Sequence, residues 1–426
     1  MGPDASPSAV CTISNVTASL SPKIATVGIV TWATDLQDMT SASIDFGPTT
    51  AYGMTAPVDL TEKGFRTLLL GMKAEKLYHY RITASGLKGS CASGDNTIRT
   101  GPLANGLPRL AVTTNNATKL AGGFLVVGEC LGDVTGAIIF DADGDPVWWF
   151  KIDLEITGAA MTFDAKSMWL NDVNCCEVTG TSKVHLVSMD GMSDQDLSAQ
   201  FPNLNHQLVV LPDETVAFYG YGPNECDDIK ERKPDGTTRV IVNAGTAQGV
   251  AGPCHVNAIQ YSPTDDTLVF SDLNHSTYTK IRHTTGETVW VLNGTPNEFA
   301  AAPLWNDGIH GLDILPGPNR FVMFNNASAT TGSIAMEWQL TTTPAKSAKK
   351  LWSYTADPKL FIAIMGDVQR LDNGNTIVAY STAGEIHEVA PDGTLLQKLN
   401  WPLGSSFGYI EKRPSLYGHP PRLRIR

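Results

Sequence analysis

Histidine is scarce in this chain, nine residues in 426, yet three of them stand at similar places in one recurring pattern. His206 in "NHQLVVLPDETVAFYG", His255 in "CHVNAIQYSPTDDTLVF" and His310 in "IHGLDILPGPNRFVMFNN" each precede a turn by about five to seven residues. A neutral imidazole is a nucleophile, and a charged one is a proton donor near neutral pH. Three of them gathered at one point suit covalent catalysis with proton transfer. The same three could instead hold zinc or another divalent metal with one position open for water, in a hydrolase or lyase. In that case Asp313 or Asp367 would orient the ligands from behind. The other histidines, His79, His185, His275, His283, His387 and His419, lack this placement. His185, His283 and His387 fall in hairpins or outer strands and read as structural or solvated, whereas His275, in "SDLNHSTYTKI", lies where the chain re-enters the rim of the same site.

The elements that must position these residues are β-strands. From about Ala121 the pattern recurs every 40 to 55 residues or so, the mark of a propeller or a solenoid. "TGAIIFDADGDPVWWFK", "TYTKIRHTTGETVWVLNG" and "HEVAPDGTLLQKLNW" are strand, tight turn and strand, with Gly where a turn asks for positive φ. "VQRLDNGNTIVAYS" supplies the strand pair that precedes such a hairpin. Four strands per unit without helices describe a propeller blade. Six units follow, near 121–155, 160–200, 205–245, 254–294, 309–354 and 365–401. In a propeller the first strand of each blade lines the central channel, so matched residues converge on the axis. Gly366 takes the matched place in the sixth unit, where the missing side chain is expected to leave room for a ligand. "FGYIEKRPSLYG", from Phe407, is a spare strand expected to close the ring by pairing near Ala137–Trp149.

Ahead of the repeats, "TVGIVTWATD", "SASIDFGP", "RTLLLGMK" and "LYHYRITASG" are strand-sized runs with no helical period. They indicate a β-sandwich with Trp32 in its core, similar to a fibronectin type III module. "TGPLANGLP" reads as the linker. The expected architecture is therefore all-β, with a sandwich over 1–104 and a six-bladed β-propeller over 105–426.

Charged residues make up only 17% of the chain, its net charge is −12, and it has no basic block to follow a phosphate backbone, so nucleic acid is not an expected partner. Apolar runs such as "FIAIMG" are too short to span a bilayer. The sequence leaves room for a homodimer. "MGPDASPSAVC" has neither the basic start nor the apolar stretch of a signal peptide and reads as a start placed on a mature chain. None of the seven cysteines forms a C-x-x-C pair, which favours disulfides in a secreted or periplasmic protein. Cys11 and Cys91 mark the two ends of the sandwich. A Cys226–Cys254 bond would tether the loop beside His255, a Cys130 bond to Cys175 or Cys176 is a further pairing, and the odd count leaves at least one thiol over.

"HQLVVLP", "CHVNAIQYSPTDDTLVFSDLNHSTYTKI", "IHGLDILPGPNRFVMFNN", "GDVQRLDNGNTIV" and "RPSLYG", taken in order, resemble the bacterial arylsulfate sulfotransferases, six-bladed propellers of the periplasm or cell exterior. That resemblance implies transfer of a sulfuryl group from an aryl sulfate to a phenol, through a sulfated histidine and without a nucleotide donor or other cofactor. It points to His310 as nucleophile, with His206 and His255 as its partners, acting on a small aromatic or anionic substrate. Asn257, Asn274, His275, Gly366 and Asp367 are then the expected substrate-contacting positions. The family's arginine in the strand after the second histidine is Leu273 here, so the anion clamp must come from elsewhere.

Overall fold

The computed structural model describes residues 11–131, 135–172, 182–305, 308–317, 319–402 and 406–418. The chain forms two compact units, one of 1–107 with 145–149 and 189–193, the other of the remainder.

In the first unit, Ile13–Leu20, Gly28–Thr34 and Thr67–Leu69 form one antiparallel sheet. Met54–Pro57, Met39–Gly47, Leu77–Gly86 and Gly89–Ala92 form a second, with Asn96–Arg99 also on Leu77–Gly86. Alternation supplies the core. Val30 and Trp32 from one sheet, and Ile44, Phe46, Tyr80 and Ile82 from the other, are buried while their chain neighbours are more open. Trp32 packs on Phe65 with ring centroids 4.6 Å apart. The Cys11–Cys91 disulfide ties the start of the first sheet to the second.

Among the described residues from Ala111 onward there are six antiparallel sheets. Their innermost strands are Ser406–Arg413, Ile156–Met161, Leu204–Val210, Val256–Ser262, Ile309–Ile314 and Asp367–Arg370, and each touches the next around a closed ring. This is the all-β propeller arrangement. Side chains lock neighbouring inner strands together: Gln207 Oε1 accepts from the Ile259 N–H (3.1 Å), Asp313 Oδ2 from the Arg370 N–H (2.9 Å), and Gln369 Oε1 from the Lys412 N–H (2.7 Å). The tight turns follow from composition. At Gly374, φ is +89° and its N–H donates to the Leu371 carbonyl at 2.9 Å, a conformation a side chain would resist.

The ring closes twice, and not where the sequence suggested. Ser406–Arg413 pairs with Phe124–Leu131, not with the strands near Ala137–Trp149. The reason is edge availability: Gly136–Asp141 already lies between Phe124–Leu131 and Pro146–Lys151, so both its edges are used. Ala111–Thr114 adds a fifth strand to the outer edge of the sixth sheet by pairing with Leu395–Asn400.

Candidate functional site on the propeller axis

The inner strands that carry His206 and His310, and the one that His255 directly precedes, are irregular near their first residues. Pairing with the second strand shifts between Leu204 and Leu208, between Val256 and Ile259, and between Ile309 and Leu312. Such bulges re-aim side chains at the price of local strain. His206 itself has φ +45°, unusual for a residue with a Cβ. Counted from the first regular pair after the shift, Leu208, Ile259 and Leu312, His206 and His310 each stand two residues before it and His255 four before. His206 and His310 therefore share a register, and His255 does not. The position matched to them in its strand is Asn257, and His255 stands just ahead of that strand.

His206 and His255 form a direct pair, Nε2 to Nε2 at 3.0 Å with ring centroids 5.1 Å apart. One nitrogen must donate and the other accept, so the contact holds one proton between two rings. Asn257 lies against both. Its Nδ2–H donates to the Ile309 carbonyl (3.0 Å), which turns its oxygen toward the rings and favours a proton there. Burial opposes that proton. It lowers the pKa of His255 and, aided by the nearby His255 and His310, drives that of His206 well below the usual histidine value.

His310 is held differently. The Asn326 amide donates through Nδ2 to the carbonyls of Ile362 (3.0 Å) and Met365 (2.9 Å), which leaves its Oδ1 as an acceptor 2.6 Å from His310 Nδ1. The imidazole is thereby fixed as the Nδ1–H tautomer with its lone pair on Nε2. That lone pair accepts the Met365 N–H at 3.0 Å. Met365 has φ +63°, and the hydrogen bonds of its N–H to His310 and of its carbonyl from Asn326 hold this left-handed conformation in place. Burial lowers the His310 pKa to about 4, so at neutral pH the ring is an uncharged base.

Among the described residues, His206 Nδ1 and Asn171 Oδ1 are buried polar atoms near the axis with no hydrogen-bond partner, whereas the Asn205 amide lies against the Asp227 carboxylate. Buried groups seldom stay unpaired, so this cluster calls for water or a polar ligand. A narrow cavity of about 60 Å³, lined by Gly158, Asn171, Gln207 and Tyr409 among others, runs beside it.

The remaining candidate residues sort by position. Asp272, fully buried, accepts from the N–H groups of His255 and Asn274, from Gln248 Nε2 and from His275 Nδ1. It thus binds His275 to the base of His255, with the His275 ring about a quarter exposed. Asn274 is exposed, and its Nδ2 is engaged by the Pro253 carbonyl (3.2 Å). Leu273 follows Asp272 and donates its N–H to the His255 carbonyl at 2.8 Å, so the position lacking the arginine borders the site. Gly366 leaves no room for a ligand: a Cβ there would lie 2.3 Å from the Phe324 ring, and φ is +106°. Its glycine is required by packing. Asp367, also fully buried, accepts the Ile410 N–H and helps seat the closing strand. Asp313 is likewise turned to a neighbouring inner strand.

Among the described residues, the group of histidine, cysteine and carboxylate atoms lying within 4.8 Å of one another is Cys254, Asp272 and His275, not the three axial imidazoles. Cys254 is in a disulfide with Cys226 and has no thiolate to offer. The Cys130 and Cys175 or Cys176 pairing and His419 lie outside the described residues. Away from the axis, His79 pairs with Asp95 and His185 with Asp194, His283 bridges Glu231 and Asp266, and buried His387 links Tyr354 to Glu385. Asn326 and Met365 were not singled out by sequence. Asn326 ends the "FVMFNN" run, where it reads as a strand-end amide.

Residues 226–400 match the family described as Arylsulfotransferase (ASST), a span that contains His255, His310, Asp272 and Asn326 but not His206. No curated protein sequence matches the chain. Solved structures are similar at low identity: TolB from Acinetobacter baumannii (11% identity, 80% of each chain, TM-score 0.48), the Nidogen/Laminin complex (11%, 68% of this chain and 97% of that one, 0.47) and a streptogramin B lyase (12%, 72% and 98%, 0.44).

Proposed function

We propose that the protein transfers a sulfuryl group from an aryl sulfate to a phenolic acceptor, with His310 as the nucleophile. The observation that carries this reading is the state of His310: an uncharged imidazole, fixed as the Nδ1–H tautomer by Asn326, with its lone pair on Nε2. The match of 226–400 to the arylsulfotransferase family supports the reaction class.

In the first half-reaction, Nε2 attacks sulfur as the sulfur–oxygen bond to the aryl group breaks. The positive charge that develops on the ring is met by Asn326 Oδ1 through the Nδ1–H. The departing phenolate takes a proton from the His206–His255 pair, which gains that proton when an anion binds beside it. In the second, the acceptor phenol gives its proton back to the pair, its oxygen attacks sulfur, and the sulfur–nitrogen bond breaks to restore His310.

The Met365 N–H must leave Nε2 before attack. Since it already points to where sulfur would sit, it becomes a donor to the sulfuryl oxygens and takes over part of the role of the missing arginine. Protein export fits the Cys11–Cys91 and Cys226–Cys254 disulfides.

The test is turnover of 4-nitrophenyl sulfate with a phenol acceptor, with a mass search for sulfuryl on the His310 peptide. His310→Ala should abolish both, while His206→Ala and His255→Ala should each leave a remnant of activity. Chelator should leave the wild-type rate unchanged. Loss of activity on chelation, with no sulfuryl on His310, would replace this reading by the metal-dependent one.

A further inference from the structure

The channel has a second end. The histidines stand where the inner strands begin, and where the same strands finish, at Ser262, Ile314, Arg370 and Lys412, there is a cavity of about 480 Å³. That volume is within the range of sites for small organic molecules. Ile314, Leu315, Pro316, Leu371 and Pro414 give it apolar walls. The charged groups of the wall are mostly answered. Asp313 accepts the Arg370 N–H, and the Arg370 guanidinium is paired with Glu337 at 2.5 Å.

Lys412 is held less closely. It is only 4% exposed, and no hydrogen bond or ion pair to its ammonium is found among the described residues. Glu388 and Asp141 act on it from beyond ion-pair distance. The Glu388 Oε1 is itself occupied, accepting from the Ala121 N–H and Asn375 Nδ2, both at 2.7 Å. A buried lysine that meets carboxylates only at longer range is costly and rare.

We propose that this cavity binds a small organic anion, its carboxylate or sulfate head on the Lys412 ammonium and its apolar body against Ile314, Leu315 and Leu371. The site is separate from the histidines and does not depend on sulfuryl transfer. It makes the two ends of one channel two anion sites, one reactive and one not. Burial lowers the Lys412 pKa, and a bound anion would restore the charge.

The test uses the full chain and sodium benzoate as probe, followed by ligand-observed NMR. Wild type and His310→Ala should both bind, and Lys412→Met should bind about tenfold more weakly or not at all. Because removal of a buried ammonium can disturb packing, Thr264→Trp provides a second variant. Thr264 is exposed at the cavity rim, so a tryptophan there obstructs the cavity without entering the core, and it should also weaken binding. The proposal is overturned if wild type does not bind benzoate, if Thr264→Trp and Lys412→Met bind as wild type does, or if His310→Ala alone removes binding.

Discussion

At the residue scale, the chemistry of the axis depends on which nitrogen of His310 carries its proton, and Asn326 decides that. Replacing Asn326 by Ala frees the ring to adopt either tautomer, and kcat should fall by about two orders of magnitude with a smaller change in KM. Asn326→Asp is more diagnostic: a carboxylate beside Nδ1 favours the charged imidazole, so the acid limb of the kcat profile, near pH 4 for wild type, should move to higher pH. A purely structural role for Asn326 would leave that limb in place. The same burial affects stability. The unfolded imidazole binds a proton below its ordinary value of 6.5, the folded one only near 4, so between these values the unfolded state holds more protons. Stability should therefore fall as pH drops through that window, by about 3 kcal/mol from His310 alone. The lowered values of His206, His255 and His387 act in the same direction. Melting midpoints between pH 7 and 4 check this, and His310→Gln should flatten the slope. Leu273→Arg, at the turn hydrogen-bonded to His255, should raise sulfuryl transfer if the anion clamp is limiting.

At the scale of elements, the site depends on two loops and their anchors. The Cys226–Cys254 disulfide closes a loop over a separation of 28 residues and ends directly before His255. In the chain-entropy view it is worth about 3–4 kcal/mol. Reduction, or the Cys226→Ser and Cys254→Ser pair, should lower the melting midpoint and reduce turnover more than a remote destabilisation of equal size would. The disulfide, the strand units and their turns were legible in the sequence, because each is announced locally: by Cys226 and Cys254 flanking a blade entry, or by Asp-Asn-Gly-Asn between alternating runs. The bulges were not. The three histidines look equivalent in the linear pattern, but the shifts after Leu204, Val256 and Ile309 leave Asn257, not His255, at the place matched to His206 and His310. Gly366 was misread for a related reason. A sequence shows a missing side chain but not the Phe324 ring that fills the place.

At the scale of the molecule, closure is the part that sequence could least specify, since the partner of Ser406–Arg413 lies almost three hundred residues away and no local signal distinguishes one edge of the first sheet from another. Ending the chain after Pro402 would remove that innermost strand, leave Phe124–Leu131 with an open edge, and deprive Gln369 and Asp367 of the backbone N–H groups they accept. Its melting midpoint should fall far below that of the full chain, and a superimposable melting curve would contradict the closure. This closure also has a consequence in time. In chain order Ser406–Arg413 follows the five other inner strands, and Tyr409, whose hydroxyl donates to the Asn257 carbonyl beside the paired imidazoles, comes with it. A nascent or prematurely ended chain can form its outer hairpins, but it lacks the strand against which the axis is assembled. The capacity to bind and react would thus be withheld until that strand has been made.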